Sequence, residues 1–228
     1  TCALPIYNTP KGKTMKAIVI GAGIGGLSAA VALRKAGIAC EVFEAVKEIK
    51  PVGAAISIWP NGVKCMNRLG MGKIIDAYGG PMHYLAYKEY QRGETLTRFS
   101  LAPLVERTQG RPSPVSRTEL QREMLDFWGR EQVQFDKRVT RVEEHTDGVT
   151  VWFTDGSEAH GDVVIAADGS HSALRPYVLG YTPERRYAGY VNWNGLVDID
   201  ESIAPADQWT TFVGEGKRVS LMPVAGGR

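Results

Sequence analysis

The residues best suited to chemistry in this chain are a set of glycines and an acid. Gly21, Gly23 and Gly26 stand in G-x-G-x-x-G spacing within Gly21-Ala22-Gly23-Ile24-Gly25-Gly26. In that arrangement the first glycine permits a tight turn and the second lets a phosphate approach the backbone. The third lets the following helix pack closely on the preceding strand. Glu44 comes about 20 residues later, where a carboxylate can accept both hydroxyls of an adenosine ribose. The pattern points to a dinucleotide, and FAD and NAD(P) are both open on these residues alone.

A second acid-glycine pair, Asp168-Gly169, begins the stretch that runs through Ser172 to Arg175. An acid and a glycine at the carboxyl end of a buried parallel strand lie on the ligand side of an open α/β sheet. Gly53-Ala54-Ala55 offers small residues for a close approach of backbone to cofactor, or an ordinary tight loop. Arg117 falls in the first turn of an expected helix, where a cation gains nothing from the helix dipole. It either faces an anion or lies in solvent. The four histidines, His83, His145, His160 and His171, are widely scattered and offer no persuasive metal cluster or catalytic triad.

Several elements must position these groups. Apolar Ala17–Ile20 reads as a parallel strand buried on both faces. The Ala- and Leu-rich residues 24–36 read as a helix closed by Gly37, and Cys40–Phe43 as the strand that delivers Glu44. Residues 46–57 read as a connection, with a short helix at Val63–Leu69. Residues 82–90 and 95–101 have strand composition and suggest a second sheet inserted between the halves of the first. Ser116-x-x-Glu119 is a capping box that opens a helix over Arg117–Trp128. Val133–Phe135, Val139–Glu143 and Val149–Phe153 read as short strands, with a hairpin turn at Thr146-Asp147-Gly148. Val163–Ala167 reads as a further parallel central strand, followed by strands at 187–197, 208–214 and 218–224.

Composition narrows the function class. The 228 residues carry 27 basic and 25 acidic side chains, a formal charge of +2, with no basic cluster for nucleic acid. No stretch approaches the roughly 18 apolar residues of a membrane span. Cys2, Cys40 and Cys65 are unpatterned, the last two expected buried or half-buried, which fits a reducing cytoplasm. Thr1–Thr14 has no apolar core of a signal peptide and reads as an extension ahead of Met15.

Gly21–Gly37 with Glu44, Arg117 in Ser116–Leu120 and Ala166–Arg175 together resemble the class A FAD-dependent aromatic monooxygenases. Over Gly53–Gly62, Ser116–Leu125 and Tyr187–Val224 the chain is similar to the urate-hydroxylating branch of that family. The resemblance runs from Met15 to Arg228 and implies an N-terminal piece, the family's later Gly-Asp motif having no counterpart. The implied fold is α/β, a glutathione-reductase-type FAD-binding fold (Rossmann-like ββα) with an inserted, mostly-β substrate domain, C-terminally truncated. The FAD-binding part would comprise 15–80 with 102–180, and the substrate part 81–101 with 181–228. The implied activity is hydroxylation of urate to 5-hydroxyisourate with NADH and O2 through a flavin C4a-hydroperoxide. Gly25, Glu44, Ala45, Ser57, Arg117 and Val139 match positions lining the FAD site, and Asp168 with Gly169 matches a pyrophosphate and pyridine-nucleotide motif. Asn192 and Arg218 match positions that touch the purine, and Arg218 is the residue expected to hold the urate anion in bidentate fashion. Hydroxylation of salicylate or another phenolate, and a weak FAD-binding module without turnover, are the alternatives.

Overall fold

The computed structural model describes residues 14–50 and 53–225, so Cys2 and the expected extension up to residue 13 lie outside the described residues. In chain order the elements begin β1 (Lys16–Ile20), α1 (Ile24–Lys35), β2 (Ala39–Phe43), β3 (Ala55–Ile58), α2 (Pro60–Leu69), α3 (Gly72–Tyr78), β4 (Tyr84–Glu89) and β5 (Thr95–Ser100). Next come α4 (Ala102–Thr108), β6 (Ser113–Ser116), α5 (Arg117–Trp128), β7 (Val133–Gln134), β8 (Val139–His145) and β9 (Gly148–Phe153). The series ends with β10 (Glu158–Gly161), β11 (Val163–Ala166), α6 (Arg175–Leu179), β12 (Gln208–Gly214) and β13 (Lys217–Leu221). They form two compact units, one of Thr1–Glu48 with Glu131–Pro183 and one of Ile49–Arg130 with Glu184–Arg228. The architecture is α/β, a Rossmann-like parallel layer together with a β-rich part.

The first unit is built on a parallel sheet of order β11-β1-β2-β7. Ala17–Ile20 of β1 are all buried, which is why this run is apolar without alternation. Ile18 and Ile20, with Phe43 from β2, share a core with Val151, Phe153 and Ala159 of the antiparallel sheet β10-β9-β8. The Phe43 and Phe153 rings stack with centroids 4.7 Å apart. Helix α1 buries Leu27, Ala30 and Val31, a stripe at the three- and four-residue spacing of one helical face. Gly37 ends it as expected: at φ +75° it donates its N–H to the Arg34 carbonyl, and Ile38 donates to Leu33.

In the second unit the sheet order is β13-β12-β4-β5, with β12 parallel to β4 and the other pairs antiparallel. Strands β3 and β6 pair separately. The capping box is present in its forward half, Ser116 Oγ accepting the Glu119 N–H at 3.4 Å. Beyond it, α5 buries Leu120, Met124, Leu125 and Trp128.

Several expectations need correction. Residues 187–197 form no strand, and Trp193 there is 90% exposed. Aromatic and β-branched composition fits a pleated, half-buried surface, but extension is stabilised only by a paired neighbour, and none pairs with this segment among the described residues. β11 is parallel but lies at the sheet edge, with Val163 39% exposed. A continuous apolar run responds to cover above and below a strand and carries no information on its lateral neighbours. The connection at 46–57 contains the start of β3, and α2 begins at Pro60 because proline suits the first helical position. β13 stops at Leu221, and Cys65 is exposed on the outer face of α2, whereas Cys40 is half-buried.

The Phe43–Phe153 stack ties the two sheets of the first unit. Phe153→Ala is expected to lower the unfolding free energy of that unit by about 3–5 kcal/mol, the usual cost of removing a buried ring. Denaturant titration followed by circular dichroism measures it, and a loss below about 1 kcal/mol would mean that the stack contributes no more than a surface contact.

Candidate functional site

In the first unit the glycine turn is fixed by sterics. Gly21 has φ +105°, and a Cβ there would lie 2.5 Å from the Ala167 carbonyl oxygen. A Cβ on Gly26 would fall on the Gly21 carbonyl oxygen. Around Gly23 and Gly25 the space is open, with nothing within 4 Å of an added Cβ. The N-cap of α1 is Gly23, without a side-chain cap and without an acid in the first turn. Main-chain N–H groups and the positive end of the helix dipole are thus presented without protein side chains in the way, an arrangement that suits a pyrophosphate.

Glu44 leans over this turn. Its Oε2 accepts the Ala22 N–H at 2.8 Å and its Oε1 accepts the Val46 N–H at 3.1 Å. Each carboxylate oxygen has a second lone-pair site, so ribose hydroxyls can still be accepted. The acid therefore braces the turn as well, a role that spacing alone does not reveal. Beside it, half-buried Ala45 follows in the chain, and the Glu44 carbonyl accepts the Lys137 N–H at 2.8 Å. The Lys137 ammonium bonds Asp155 Oδ2 at 2.5 Å and Ser157 Oγ at 2.7 Å. That ammonium, with help from Ser157, holds the Asp155 carboxyl well below the usual carboxylate range. Val139 buries its side chain in the core, so only its main chain is available to a ligand.

Asp168 follows β11 and turns inward on its own loop. Its Oδ2 accepts the Ala173 N–H at 2.7 Å and the Leu174 N–H at 3.4 Å. Its Oδ1 is buried without a hydrogen-bond partner among the described residues. Arg175 donates to the Gly169 carbonyl at 3.1 Å, closing the loop around an open Gly169 at φ +82°. Asp168 is thus an acceptor with one oxygen committed and one uncommitted.

The remaining candidates belong to the second unit. Gly53, at φ +91°, would place a Cβ 3.2 Å from Arg117 Cδ, so the absence of a side chain here makes room for the arginine. Arg117 is half-buried, and its N–H donates to the Ala54 carbonyl at 2.9 Å. Ser57 is half-buried in β3 opposite Pro114. Asn192 and Arg218 line one cavity of about 720 Å³, together with Trp193, Trp209 and Val224. Asn192 donates to Asn194 Oδ1 at 3.3 Å, and Arg218 projects from β13, where its register partner is Val213. Glu201 lines the same cavity, and sequence reasoning misses it because it sits in a turn with no motif around it.

Residues 14–226 match the FAD binding domain family. The chain belongs to that family. It is 82% identical over 214 residues to the FAD-dependent urate hydroxylase of Klebsiella oxytoca, covering 94% of this chain and 56% of that protein. Klebsiella pneumoniae HpxO complexed with FAD and uric acid has a TM-score of 0.90 and 75% identity, covering 93% of this chain and 54% of that one. The 3-amino-4-hydroxybenzoate 2-monooxygenase of Streptomyces cremeus is 36% identical, covering 95% of this chain and 55% of that protein. The chain thus spans about half the length of the relatives it matches. Among the described residues, no helix is long and apolar enough to cross a membrane, and no group of His, Cys, Asp or Glu side chains could hold a metal ion.

For a member of the FAD binding domain family, Glu44 is testable at two levels. Glu44→Ala is expected to weaken FAD binding by about 1.5–3 kcal/mol, the value of a hydrogen bond to a charged group. It should also lower Tm, because the Ala22 and Val46 amides lose their acceptor. Flavin titration of the apoprotein measures the first effect, and unchanged affinity would remove the ribose contact. A second prediction concerns pH. Asp155 has a folded-state pKa below its unfolded value, so its pair with Lys137 stabilises fully at neutral pH and loses that contribution as pH falls below about 4. Asp155→Asn should melt below the wild type at pH 7, and the gap should narrow steadily in acid. Equal melting temperatures at pH 7 would show that the pair contributes nothing.

Proposed function

We propose that the protein holds FAD along the Gly21–Gly26 turn and hydroxylates urate to 5-hydroxyisourate with NADH and O2. The balance is urate, NADH, a proton and O2 giving 5-hydroxyisourate, NAD+ and water. The observation that carries this reading is that Asn192 and Arg218, far apart in sequence, line one cavity. Similarity to the K. oxytoca urate hydroxylase supports it as well.

The flavin, when bound, supplies electron transfer and oxygen activation. The chain's own residues orient and bind. Glu44 accepts the adenosine ribose, the α1 N-terminus and Asp168-Gly169 accommodate the pyrophosphate, and Arg117 and Ser57 serve the same cofactor. Arg218 pairs with the anionic edge of the purine, and Asn192 offers a neutral amide to its oxygens or N–H groups. By ligand rather than by packing, residues 15–80 and 102–180 serve FAD and residues 81–101 and 181–228 serve the substrate. The finer fold assignment is the glutathione-reductase type. A cytoplasmic setting is supported by the free thiols of Cys40 and Cys65.

A second reading is an aromatic hydroxy acid as substrate, favoured by the 36% identity to the S. cremeus enzyme. Arg218 suits a carboxylate as well as a urate anion, so turnover must separate the two. In the full-length, flavin-loaded protein, urate should drive NADH oxidation and yield 5-hydroxyisourate, whereas hydroxybenzoates should not. Arg218→Ala should lower kcat/KM for urate by the equivalent of about 2–5 kcal/mol with flavin content near normal. Wild-type protein that leaves urate unconsumed would overturn the function, and an unaltered kcat/KM would remove Arg218 from the site.

A further inference from the structure

The cavity that contains Arg218 also presents a carboxylate. Glu201 and Arg218 both line it, yet among the described residues neither makes an ion pair or a side-chain hydrogen bond. Their charged atoms therefore lie more than 4.0 Å apart. Glu201 is held there by a fixed turn. The Asp200 carboxylate accepts the Ser202 N–H at 2.8 Å, the Asp200 carbonyl accepts the Ile203 N–H at 2.9 Å, and Ala204 is buried behind them. Opposite charges lining one cavity would gain by meeting. Left apart, each has its charge available to a ligand that enters the cavity.

We propose that Glu201 is a specificity-determining acceptor for substrate N–H groups, a role that rests on the reading of this cavity as the substrate site. A urate anion has two kinds of edge, carbonyl oxygens with a deprotonated ring nitrogen on one side and ring N–H donors on another. The first kind suits the Arg218 guanidinium and the second suits the Glu201 carboxylate. Benzoate, an aromatic carboxylate without an amino or hydroxyl group, can satisfy only Arg218. Its ring offers no N–H in that position, and its negative charge is repelled by Glu201. The arginine thus accepts anions in general, and the glutamate selects those that also donate.

The test uses the full-length, flavin-loaded protein with Glu201→Gln and Glu201→Ala, assayed with urate, the N-methylated urates and benzoate. The glutamine variant should raise KM for urate on the order of tenfold with a much smaller change in kcat, the loss expected of one charged hydrogen bond. Wild type should discriminate against the methylurate whose methyl replaces the N–H that Glu201 takes, and both variants should lose that discrimination. Both should also bind benzoate more tightly, read as quenching of flavin fluorescence, while Glu201→Asp should recover part of the urate preference. Unchanged KM, methylurate ranking and benzoate affinity in the alanine variant would overturn the role of Glu201 and leave urate hydroxylation standing. Wild type inert towards urate would instead overturn the reading on which the role rests.

Discussion

The first unit depends on one close contact, the start of α1 lying directly on the end of β1. Gly26 sits against the Gly21 carbonyl oxygen, and Gly21 in turn sits against the Ala167 carbonyl after β11. No side chain fits at either place. The main-chain bonds around this point share the constraint: Gly21 donates to the Phe43 carbonyl at 2.7 Å and Ala167 to the Ile20 carbonyl at 2.8 Å. Three strand ends and a helix start therefore converge on one small volume. A methyl group at Gly26 would lift the helix from the sheet and open the packing of Leu27 and Ala30. The lack of side chains that lets these elements close also leaves the neighbouring N–H groups at Gly23 and Gly25 uncovered, so compactness and anion binding arise from one cause.

That constraint is local and acts through residue type, which is why it was legible. Glycine spacing, Gly37 at the end of α1 and the Ser116–Glu119 cap are each decided within a few residues. What escaped was decided by distant chain. β10 became a strand because β9 pairs with it, and β11 became an edge because only β1 lies beside it among the described residues. Residues 187–197 had the composition of a strand without a neighbour to reward it. The bracing role of Glu44 was hidden for a related reason, since its spacing predicts a ribose acceptor and its bond to Ala22 depends on how β2 and the turn meet. Asn192 and Arg218 were reached by resemblance, with no local signal joining them. Glu201 had neither a motif nor a resemblance to mark it.

The two units also meet charge in different ways. Beside α1, the groups offered to an anion are neutral backbone dipoles, with no arginine or lysine in the first turn of the helix. Such a site suits a group that is always charged, because the donors need only be prepositioned. In the cavity of the second unit the lining includes polar side chains: a guanidinium, a carboxylate, three amides and a hydroxyl, together with Trp193 and Trp209. Side chains can be exchanged without moving the backbone that carries them, whereas Gly21 and Gly26 cannot.

This difference gives a physical reason for one family to keep a cofactor while varying what it oxidises. At Gly21 and Gly26 the contacts exclude a Cβ, so a substitution at either position acts on the fold before it acts on the ligand. β13 and the turn at Asp200–Ile203 impose no such limit. Arg218 is exposed on its strand, and Glu201 is exposed on a turn whose geometry is set by the Asp200 bonds to its neighbours. Side chains can therefore be exchanged at these positions at little cost to packing. The similarity of this chain both to a urate hydroxylase and, more distantly, to an aminohydroxybenzoate monooxygenase is what such a division of labour would produce. The steric constraint fixes the backbone at Gly21 and Gly26, whereas the cavity that Arg218 and Glu201 line is shaped by polar side chains that the backbone leaves free to vary.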